Sequence, residues 1–386
     1  MKFFLIAGEA SGDQLGAALM AGLKILDPQA EFVGVGGPAM QAQGLDSLFP
    51  MDELSVMGLM EVLPKYRALK RRIAQTAAAV TEAAPDALIG IDSPDFCLRV
   101  ARLARPDNPS LPMIHYVAPS VWAWRAGRAQ KMAKIIDHVL AILPFEPPYM
   151  QAAGMTCDFV GHPVATEDVA GPDQAALFRN AHGIAPETPL VLCLPGSRRG
   201  EVARLGARFD EALMRLRDRV PEIRVALPTV PGVAGMVREM TRRWPTAPIV
   251  IEEADEKRAA FAAADLALAA SGTVSLELAA NRVPMVIGYD MAPLSRLIIG
   301  FLLRTDTVTL VNLVSETRSV PEFLGRACQP DPLARALQQV LEDPTARMAQ
   351  LDAMELTMER LGRGGEAPGL RAARSVLTAI RERRSR

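Results

Sequence analysis

Residues 2–13 read KFFLIAGEASGD, a short apolar run followed by a turn of small residues and the start of a helix. Gly8 and Gly12 in this turn let a ligand approach the backbone, and a helix N-terminus favours anionic or hydroxyl-rich groups. The turn does not match GxGxxG, so a dinucleotide fingerprint is absent. The alternative is a tight strand-to-helix turn that binds no ligand.

The alternation of short apolar runs with longer amphipathic runs continues along the chain and is typical of parallel βαβ units. It predicts strands at residues 2–6, 31–35, 87–91, 113–116, 138–142, 157–160, 190–194, 223–227, 249–251, 266–269 and 285–287. The pattern restarts after Gly161-His162-Pro163, and residues 165–189 resemble a linker with one helix. The fold class is therefore α/β, with two doubly wound halves that face a cleft and a helical tail from Pro332.

Composition limits the class of protein. The 386 residues suggest two domains, and 49 % hydrophobic with 23 % charged residues excludes disorder or a coiled coil as the main architecture. A net charge of −1 argues against a nucleic-acid partner, and four distant cysteines argue against a disulfide framework. The first apolar run is too short for a signal peptide, and no stretch is long enough to span a membrane. We expect a cytoplasmic protein.

Ligands in such sheets bind beyond the carboxyl ends of the strands, so the residues that follow strands are the site candidates. GIDSPDF at residues 90–96 follows a buried strand and carries Asp92 and Asp95. Either carboxylate could be a general base if it faces the cleft. The alternative is a helix cap at Asp92 and a turn residue at Asp95.

HYVAPSVWAWR, residues 115–125, holds two of the three tryptophans and follows the next predicted strand. His115, Trp124 and Arg125 suit stacking on a sugar or contact with a phosphate. The alternative is a packed loop at a domain interface. His162 is either a ligand-contacting hinge residue or a structural turn residue.

The second half offers a phosphate-binding turn in LPGSRRGE, residues 194–201. The backbone at Gly196 and Ser197, the serine hydroxyl and Arg198 could all reach a diphosphate. The stretch lacks the GK[ST] of a P-loop, so hydrolysis of nucleoside triphosphates is not indicated.

A second small-residue turn, ASGTVSLE at residues 270–277, also follows a predicted strand. The carboxylate of Glu277 could accept hydrogen bonds from ribose hydroxyls, beside a turn formed by Ser271, Gly272 and Thr273. Helix capping with a solvated Glu277 is the alternative.

Residues 57–72 form an amphipathic stretch in which apolar residues recur at helical spacing among basic ones. Apolar and basic character together predict a membrane-surface element, whereas a core-facing helix with a solvated basic edge is the alternative. Pro64 indicates that a helix begins there. The candidate docking residues are Leu59, Met60, Val62, Leu63, Lys65, Tyr66, Arg67, Leu69, Lys70 and Arg71.

Taken together, nine strings in this order resemble the lipid-A-disaccharide synthase family, glycosyltransferases of Gram-negative lipid A synthesis. They are AGEASGD (7–13), GVGGPAM (34–40), MGLMEVLP (57–64), GIDSPDF (90–96), HYVAPSVWAWR (115–125), LPFE (143–146), FVGHP (159–163), LPGSRRGE (194–201) and ASGT–LE (270–277). The resemblance covers nearly the whole chain, and HYVAPSVWAWR is its most specific string.

The resemblance implies a GT-B fold with two Rossmann-like domains and an inverting transfer. Residues 1–163 with a tail from about 350 would form the acceptor and membrane domain, and residues 164–350 the donor domain. The donor would be UDP-2,3-diacylglucosamine and the acceptor 2,3-diacylglucosamine 1-phosphate (lipid X). The products would be the β-1,6-linked disaccharide 1-phosphate and UDP.

By the same resemblance Asp92 is the candidate base, with Asp95 as the competing candidate. Arg198 and the backbone at Gly196 and Ser197 would hold the diphosphate, Glu277 the ribose, and Asn312 would lie near the nucleotide. The acceptor side would comprise Gly8, Glu9, Ser11, Gly12, Asp13, His115, Trp124, Arg125 and His162. No DxD motif follows a strand, so we expect neither a metal nor another cofactor.

Acylated substrates imply that the enzyme works at the anionic cytoplasmic face of the inner membrane. The basic tail, residues 371–386, is a second membrane contact or a subunit contact, the latter compatible with a homodimer. Three other classes compete: a UDP-N-acetylglucosamine 2-epimerase on the same fold, an NAD-dependent dehydrogenase, and a non-catalytic lipid-binding protein.

Overall fold

The computed structural model describes residues 1–54, 59–123, 127–291 and 305–385, with the backbone alone for residues 59–66. The chain divides into two compact units. Unit 1 comprises Met1–Thr166 and Gly364–Arg386, and unit 2 comprises Glu167–Arg363.

Unit 1 is built on a parallel sheet of seven strands in the order β3-β2-β1-β4-β5-β6-β7. Its strands are β1 Lys2–Ala7, β2 Glu31–Val35, β3 Asp46–Ser47, β4 Ala87–Ile91, β5 Met113–Tyr116, β6 His138–Ala141 and β7 Thr156–Phe159. Its helices are α1 Ala10–Leu26, α2 Pro38–Ala42, α3 Leu59–Ala83, α4 Pro94–Ala104, α5 Gly127–Met132 and α6 Pro147–Gln151, with 3-10 turns at Met51–Glu53 and Pro163–Ala165. The strand order changes direction between β1 and β4. Strands β2 and β3 extend the sheet on one side of this point and β5, β6 and β7 on the other, as in Rossmann-like sheets.

Unit 2 repeats this plan with a parallel sheet of six strands in the order β10-β9-β8-β11-β12-β13. Its strands are β8 Leu190–Leu194, β9 Arg224–Pro228, β10 Ile249–Ile251, β11 Leu266–Ala269, β12 Met285–Tyr289 and β13 Glu322–Leu324. Its helices are α7 Pro172–Ala181, α8 Arg199–Arg217, α9 Pro231–Thr241, α10 Ala254–Ala263, α11 Val274–Ala280, α12 Leu310–Ser315, α13 Pro330–Glu342 and α14 Pro344–Arg360, with a 3-10 turn at Gly325–Ala327.

The predicted α/β class is confirmed, and each of the predicted strands overlaps an observed one. The pattern missed β3 and β13, which lie at sheet edges and are only two and three residues long. Both contain polar residues, because an edge strand is not buried on both faces and so lacks a continuous apolar run.

Alternate residues of the central strands fill the two faces of the unit 1 sheet. Phe4 and Ile6 belong to the core on one face, whereas Phe3 and Leu5 belong to the core on the other. The period-two alternation of a strand makes this division, so both faces of the run that opens the chain are buried.

The C-terminal helix, α15 (Pro368–Arg384), returns to unit 1 and packs along α1. Arg371 donates to the carbonyl of Phe159 at 2.8 Å, and Arg383 and Arg384 form ion pairs with Asp137 and Asp86. These contacts use three arginines of the basic tail within unit 1. Helix α14 belongs to unit 2, so the return begins at Gly364 and not near residue 350.

Gly22 decides how closely α1 and α15 approach. A Cβ atom on Gly22 would lie 2.5 Å from the carbonyl oxygen of Gly369 in α15. We expect Gly22→Ala to destabilise unit 1 by about 1–3 kcal/mol, because the helices must separate. Gly235→Ala is the matched control: Gly235 lies within α9, where an added Cβ meets nothing within 4 Å, so it should not lower the unfolding temperature. Equal calorimetric unfolding temperatures for the two variants would contradict the prediction.

Helix α3 begins at Leu59 and runs unbroken to Ala83, so the prediction that a helix starts at Pro64 is wrong. Pro64 removes one backbone hydrogen bond from this 25-residue helix. The C-terminal half of α3 buries Ile73 and Val80 in the unit 1 core, and this packing supports the helix. Within the described residues, every helix is too short or too polar to cross a membrane.

Candidate active site

Asp92 lies directly after β4 in a strained backbone conformation. Its φ is +51° and that of Ser93 is +40°, so two consecutive residues with side chains occupy the left-handed region. The Asp92 N–H donates to the carbonyl of Tyr116 at 2.9 Å, which ties this turn to β5. Strain of this kind concentrates at functional sites, where surrounding contacts hold it in place.

The turn after β1 packs against the Asp92 turn, as expected for adjacent strands. A Cβ on Gly8 would lie 2.6 Å from Ser93 Oγ, and one on Gly12 would lie 3.3 Å from the Ile91 carbonyl. Ser11 Oγ lies 3.5 Å from Asp92 Oδ2. The structure therefore brings together Gly8, Ser11, Gly12 and Asp92, with Glu9 as the N-cap residue of α1.

Asp95 points elsewhere. It lies in the first turn of α4 with its side chain 91 % exposed, and its carboxylate is 4.0 Å from Arg128. An acidic residue there complements the positive end of the helix. Of the two candidate carboxylates, the half-buried Asp92 adjoins the glycine turn and Asp95 is solvated.

Asp13 has a structural task. Its buried carboxylate accepts hydrogen bonds from the N–H groups of Gly37, Ala39 and Met40 at 2.8, 2.9 and 3.0 Å. These are N-terminal donors of α2, which a helix cannot satisfy internally. Asp13 therefore holds α2 onto α1, and its predicted place among ligand-facing residues is corrected.

The two candidate histidines have different environments. His115 is buried within β5, where burial lowers its pKa to about 4, so it is a neutral core residue and not one at the strand end. His162 caps the 3-10 turn after β7, and its Nδ1 accepts from the Val164 N–H at 3.2 Å. Burial lowers the pKa of His162 to about 4 as well. With Nδ1 accepting, neutral His162 carries its proton on Nε2 and can donate from there.

Trp124 and Arg125 lie outside the described residues, as do the side chains of Leu59, Met60, Val62, Leu63, Lys65 and Tyr66. Farther along α3, the half-buried Leu69 packs against the unit 1 core, and its membrane-facing role stays a prediction. Arg67, Lys70 and Arg71 are exposed, as the prediction of a basic face requires.

Glu146 is a buried carboxyl group that the sequence analysis did not single out. Its side chain is in the turn after β6, where Oε2 accepts from the Leu143 N–H at 3.1 Å. Burial raises its pKa to about 8, while the N–H group of Leu143 opposes this increase. Trp122 packs edge-to-face on Phe145 at 5.2 Å, so the turn after β6 supports the tryptophan-containing loop after β5.

We expect Glu146→Gln to change the pH dependence of stability. A glutamic acid whose folded pKa exceeds its unfolded value of 4.5 is stabilising at low pH, and this stability is lost as pH rises towards 8. The loss is about 1.4 kcal/mol per pH unit across that window. Glutamine cannot ionise, so the unfolding temperature of the variant should rise relative to wild type from pH 5 to pH 8. A constant difference between the two proteins would show that Glu146 is ionised in the fold.

In unit 2, the turn after β8 is shaped by Gly196 and Glu201. Gly196 has φ +113°, and a Cβ there would lie 2.6 Å from Glu201 Oε2. Arg198 is the N-cap residue of α8, and its Nη1 donates to Glu201 Oε1 at 3.1 Å. Ser197 and Arg198 are exposed, so the turn offers a guanidinium beside the N-terminus of a 19-residue helix. This combination suits a diphosphate.

The turn after β11 is next to it, because β8 and β11 are paired strands. Gly272 has φ +150° and Thr273 is the exposed N-cap residue of α11. Ser271 Oγ is 3.5 Å from the carbonyl of Val308. Glu277 forms a 2.6 Å ion pair with Lys257 and remains 34 % exposed, so its carboxylate is oriented and accessible.

Asn312 does not present its amide to this turn. The side chain is buried, Nδ2 donates to the Val320 carbonyl at 2.9 Å, and Oδ1 accepts from the Val320 N–H at 3.0 Å. The amide therefore bridges α12 to the segment before β13. The amide has a structural role, and the position of Asn312 near a nucleotide stays a prediction.

The geometry defines a class of protein before any comparison. Two Rossmann-like units, each with polar turns at the carboxyl ends of its central strands, form the fold of GT-B glycosyltransferases and related epimerases. A Neisseria meningitidis UDP-GlcNAc 2-epimerase solved with UDP-GlcNAc is similar, with TM-score 0.63, 11 % identity and coverage of 99 % of this chain and 100 % of that chain. A glycosyltransferase from Rickettsia africae has TM-score 0.57, 11 % identity and coverage of 99 % and 98 %.

Sequence relatives decide between these two activities. The model of the lipid-A-disaccharide synthetase family matches residues 3–367. The lipid-A-disaccharide synthase of Ruegeria pomeroyi is 60 % identical over 98 % of this chain and 96 % of its own length, and that of Rhodospirillum centenum is 49 % identical over 99 % and 96 %. The chain belongs to the lipid-A-disaccharide synthase family. It is a glycosyltransferase of lipid A biosynthesis, and the epimerase alternative is not supported.

Proposed function

We propose that the protein transfers 2,3-diacylglucosamine from UDP-2,3-diacylglucosamine to the 6-hydroxyl of 2,3-diacylglucosamine 1-phosphate. The products are the β-1,6-linked disaccharide 1-phosphate and UDP. The observation that carries the proposal is the strained Asp92 turn, in which a half-buried carboxylate adjoins Ser11 and the glycine turn after β1. A hydroxyl acceptor needs a base of this kind when the sugar is transferred in one displacement.

The displacement inverts the configuration at the sugar carbon. Asp92 removes the proton of the 6-hydroxyl as its oxygen attacks C1 of the donor sugar. The bond from C1 to the diphosphate oxygen breaks, and that oxygen takes both electrons. Neutral His162 offers an Nε2–H donor on the same unit.

Unit 2 is the donor domain in this proposal. The Arg198 guanidinium and the N-terminus of α8 hold the diphosphate and stabilise the charge that develops on it. Glu277, oriented by Lys257, accepts hydrogen bonds from the ribose hydroxyls. Arg198 performs the electrostatic task that a cation performs in other transferases, so we expect the reaction to proceed without added metal.

Both substrates carry acyl chains, so the proposed place of action is an anionic membrane surface. The exposed Arg67, Lys70 and Arg71 of α3 support this proposal, because basic side chains near a surface attract acidic lipids. Unit 1 is therefore the acceptor and membrane-facing domain in this proposal.

The test is formation of disaccharide from the two named substrates by the full-length enzyme in detergent micelles with EDTA present. Disaccharide and UDP in equal amounts are the expected result. Epimerisation of the donor sugar at C2 in place of transfer would support the epimerase, and product that forms only when EDTA is left out would contradict metal independence. No product from folded enzyme would overturn the proposed substrates.

A further inference from the structure

Helix α4 exposes a row of basic and aliphatic side chains on the side opposite its core contacts. Arg99 and Arg102 are exposed and Leu103 is 51 % exposed, while Val100 and Ala104 are buried. Spacings of three and four residues place Arg99, Arg102 and Leu103 on one helix face.

A groove lies on each side of this row. The groove between α3 and α4 has a volume of 210 Å³ and is lined by Leu69, Lys70, Ile73, Arg99, Arg102 and Leu103. The groove between α4 and α5 has a volume of 250 Å³. Leu98, Met132 and Ile135 contribute its apolar part, Arg128 and Lys131 its basic part, and Asp95 a single carboxylate. Arg99 and Arg102 line both grooves. We define the α4 surface as Lys70, Arg99, Arg102, Leu103, Arg128 and Lys131.

Four of the five cations of the α4 surface have no ion-pair partner in the described part of the chain. Among the described residues, no carboxylate lies within ion-pair distance of Lys70, Arg99, Arg102 or Lys131, and Arg128 is 4.0 Å from the solvated Asp95. By contrast, Arg72, two residues after Lys70 in α3, forms a 2.6 Å pair with Glu53.

We propose that the α4 surface binds anionic phospholipid of a bilayer. Arg99 and Arg102 contact the lipid phosphates, and the two grooves accept the apolar parts next to the headgroup, with Leu103 inserted between lipids. Cationic side chains interleaved with aliphatic ones fit this ligand, because acidic lipid offers negative charge and apolar surface together. The described part of the α4 surface carries no aromatic side chain, so it lacks the stacking that single-stranded nucleic acid uses.

The inference rests on the membrane-facing role proposed for unit 1 and extends it to two helices that the sequence analysis did not consider. The test uses the full-length protein with sedimented vesicles of phosphatidylcholine, with or without phosphatidylglycerol. We expect wild type to prefer the acidic vesicles and Arg99→Gln/Arg102→Gln to lower the partition coefficient about thirtyfold at low salt. Leu103→Gln should weaken the binding that persists at high salt, where electrostatic attraction is screened.

Arg242→Gln/Arg258→Gln is the matched control, since it removes the same charge from exposed helices of unit 2. Its partition coefficient should equal that of wild type. The proposal would be overturned if both double variants bound vesicles equally, or if wild type showed no preference for acidic vesicles. It would also be overturned if an oligonucleotide competed with the vesicles and Leu103→Gln had no effect on binding.

Turnover in detergent micelles separates this inference from the proposed function. The α4 variants should form disaccharide at the wild-type rate in micelles, which also shows that they are folded. Absence of product from wild type would instead refute the proposed substrates, whatever the vesicles show.

Discussion

Asp92→Asn is expected to lower the rate of disaccharide formation by about 10²–10⁴-fold, the usual contribution of a general base. Asparagine keeps the shape of the side chain but cannot remove the proton of the acceptor hydroxyl. It also tolerates the left-handed backbone, so the +51° φ of this turn should persist in the variant. The measurement is the initial rate at saturating concentrations of both substrates in detergent.

The matched control for Asp92 is Asp95→Asn, three residues away in the first turn of α4. Because the Asp95 side chain is exposed, this substitution should change the rate of disaccharide formation little. UDP affinity, measured by calorimetry, should be the same in wild type and both variants, because the proposed nucleotide contacts lie in unit 2. An active Asp92→Asn enzyme together with an inactive Asp95→Asn enzyme would transfer the role of base to Asp95.

Arg198→Gln is the second substitution with a large expected effect. We expect kcat to fall about 10²–10³-fold, because the variant loses a charge that stabilises the departing diphosphate. UDP should also inhibit the variant less strongly than wild type. The ion pair with Glu201 is exposed on the arginine side, so loss of that pair should cost little stability.

Arg199→Gln is the control for Arg198, since Arg199 is the next residue, exposed, and the first of α8. Its rate and its inhibition by UDP should remain close to those of wild type. If Arg198→Gln and Arg199→Gln lowered the rate by the same small factor, the effect would come from the general positive charge of the turn. The diphosphate would then need another partner.

Glu201 shows a limit of motif reading within a correctly predicted loop. The phosphate-binding turn was predicted from Gly196, Ser197 and Arg198, and the structure adds Glu201 as the acceptor of two Arg198 hydrogen bonds. The spacing in the sequence is enough to predict this contact, because an acid at the third helical position commonly bonds back to the N-cap backbone. The role of Glu201 in orienting Arg198 follows from that spacing.

The sequence by itself determined the α/β class, the order of the central strands along the chain and the small-residue turns that follow them. These features depend on interactions between residues close in sequence: apolar runs buried on both faces form parallel strands, and glycine permits φ +113° at Gly196 whatever the partner. The family resemblance used the same local strings.

Tertiary structure decided which candidate side chains are available to a ligand. Asp13 is engaged by N–H groups 24 to 27 residues away, and Asn312 by the backbone of Val320. His115 is inside the sheet, Glu146 is buried beside Trp122, and Asp92 but not Asp95 adjoins the turn after β1. Each outcome depends on strand order and helix docking, which juxtapose residues distant in sequence. The sequence around a carboxylate or an amide looks the same whether that group will hydrogen-bond to a backbone N–H or to a substrate.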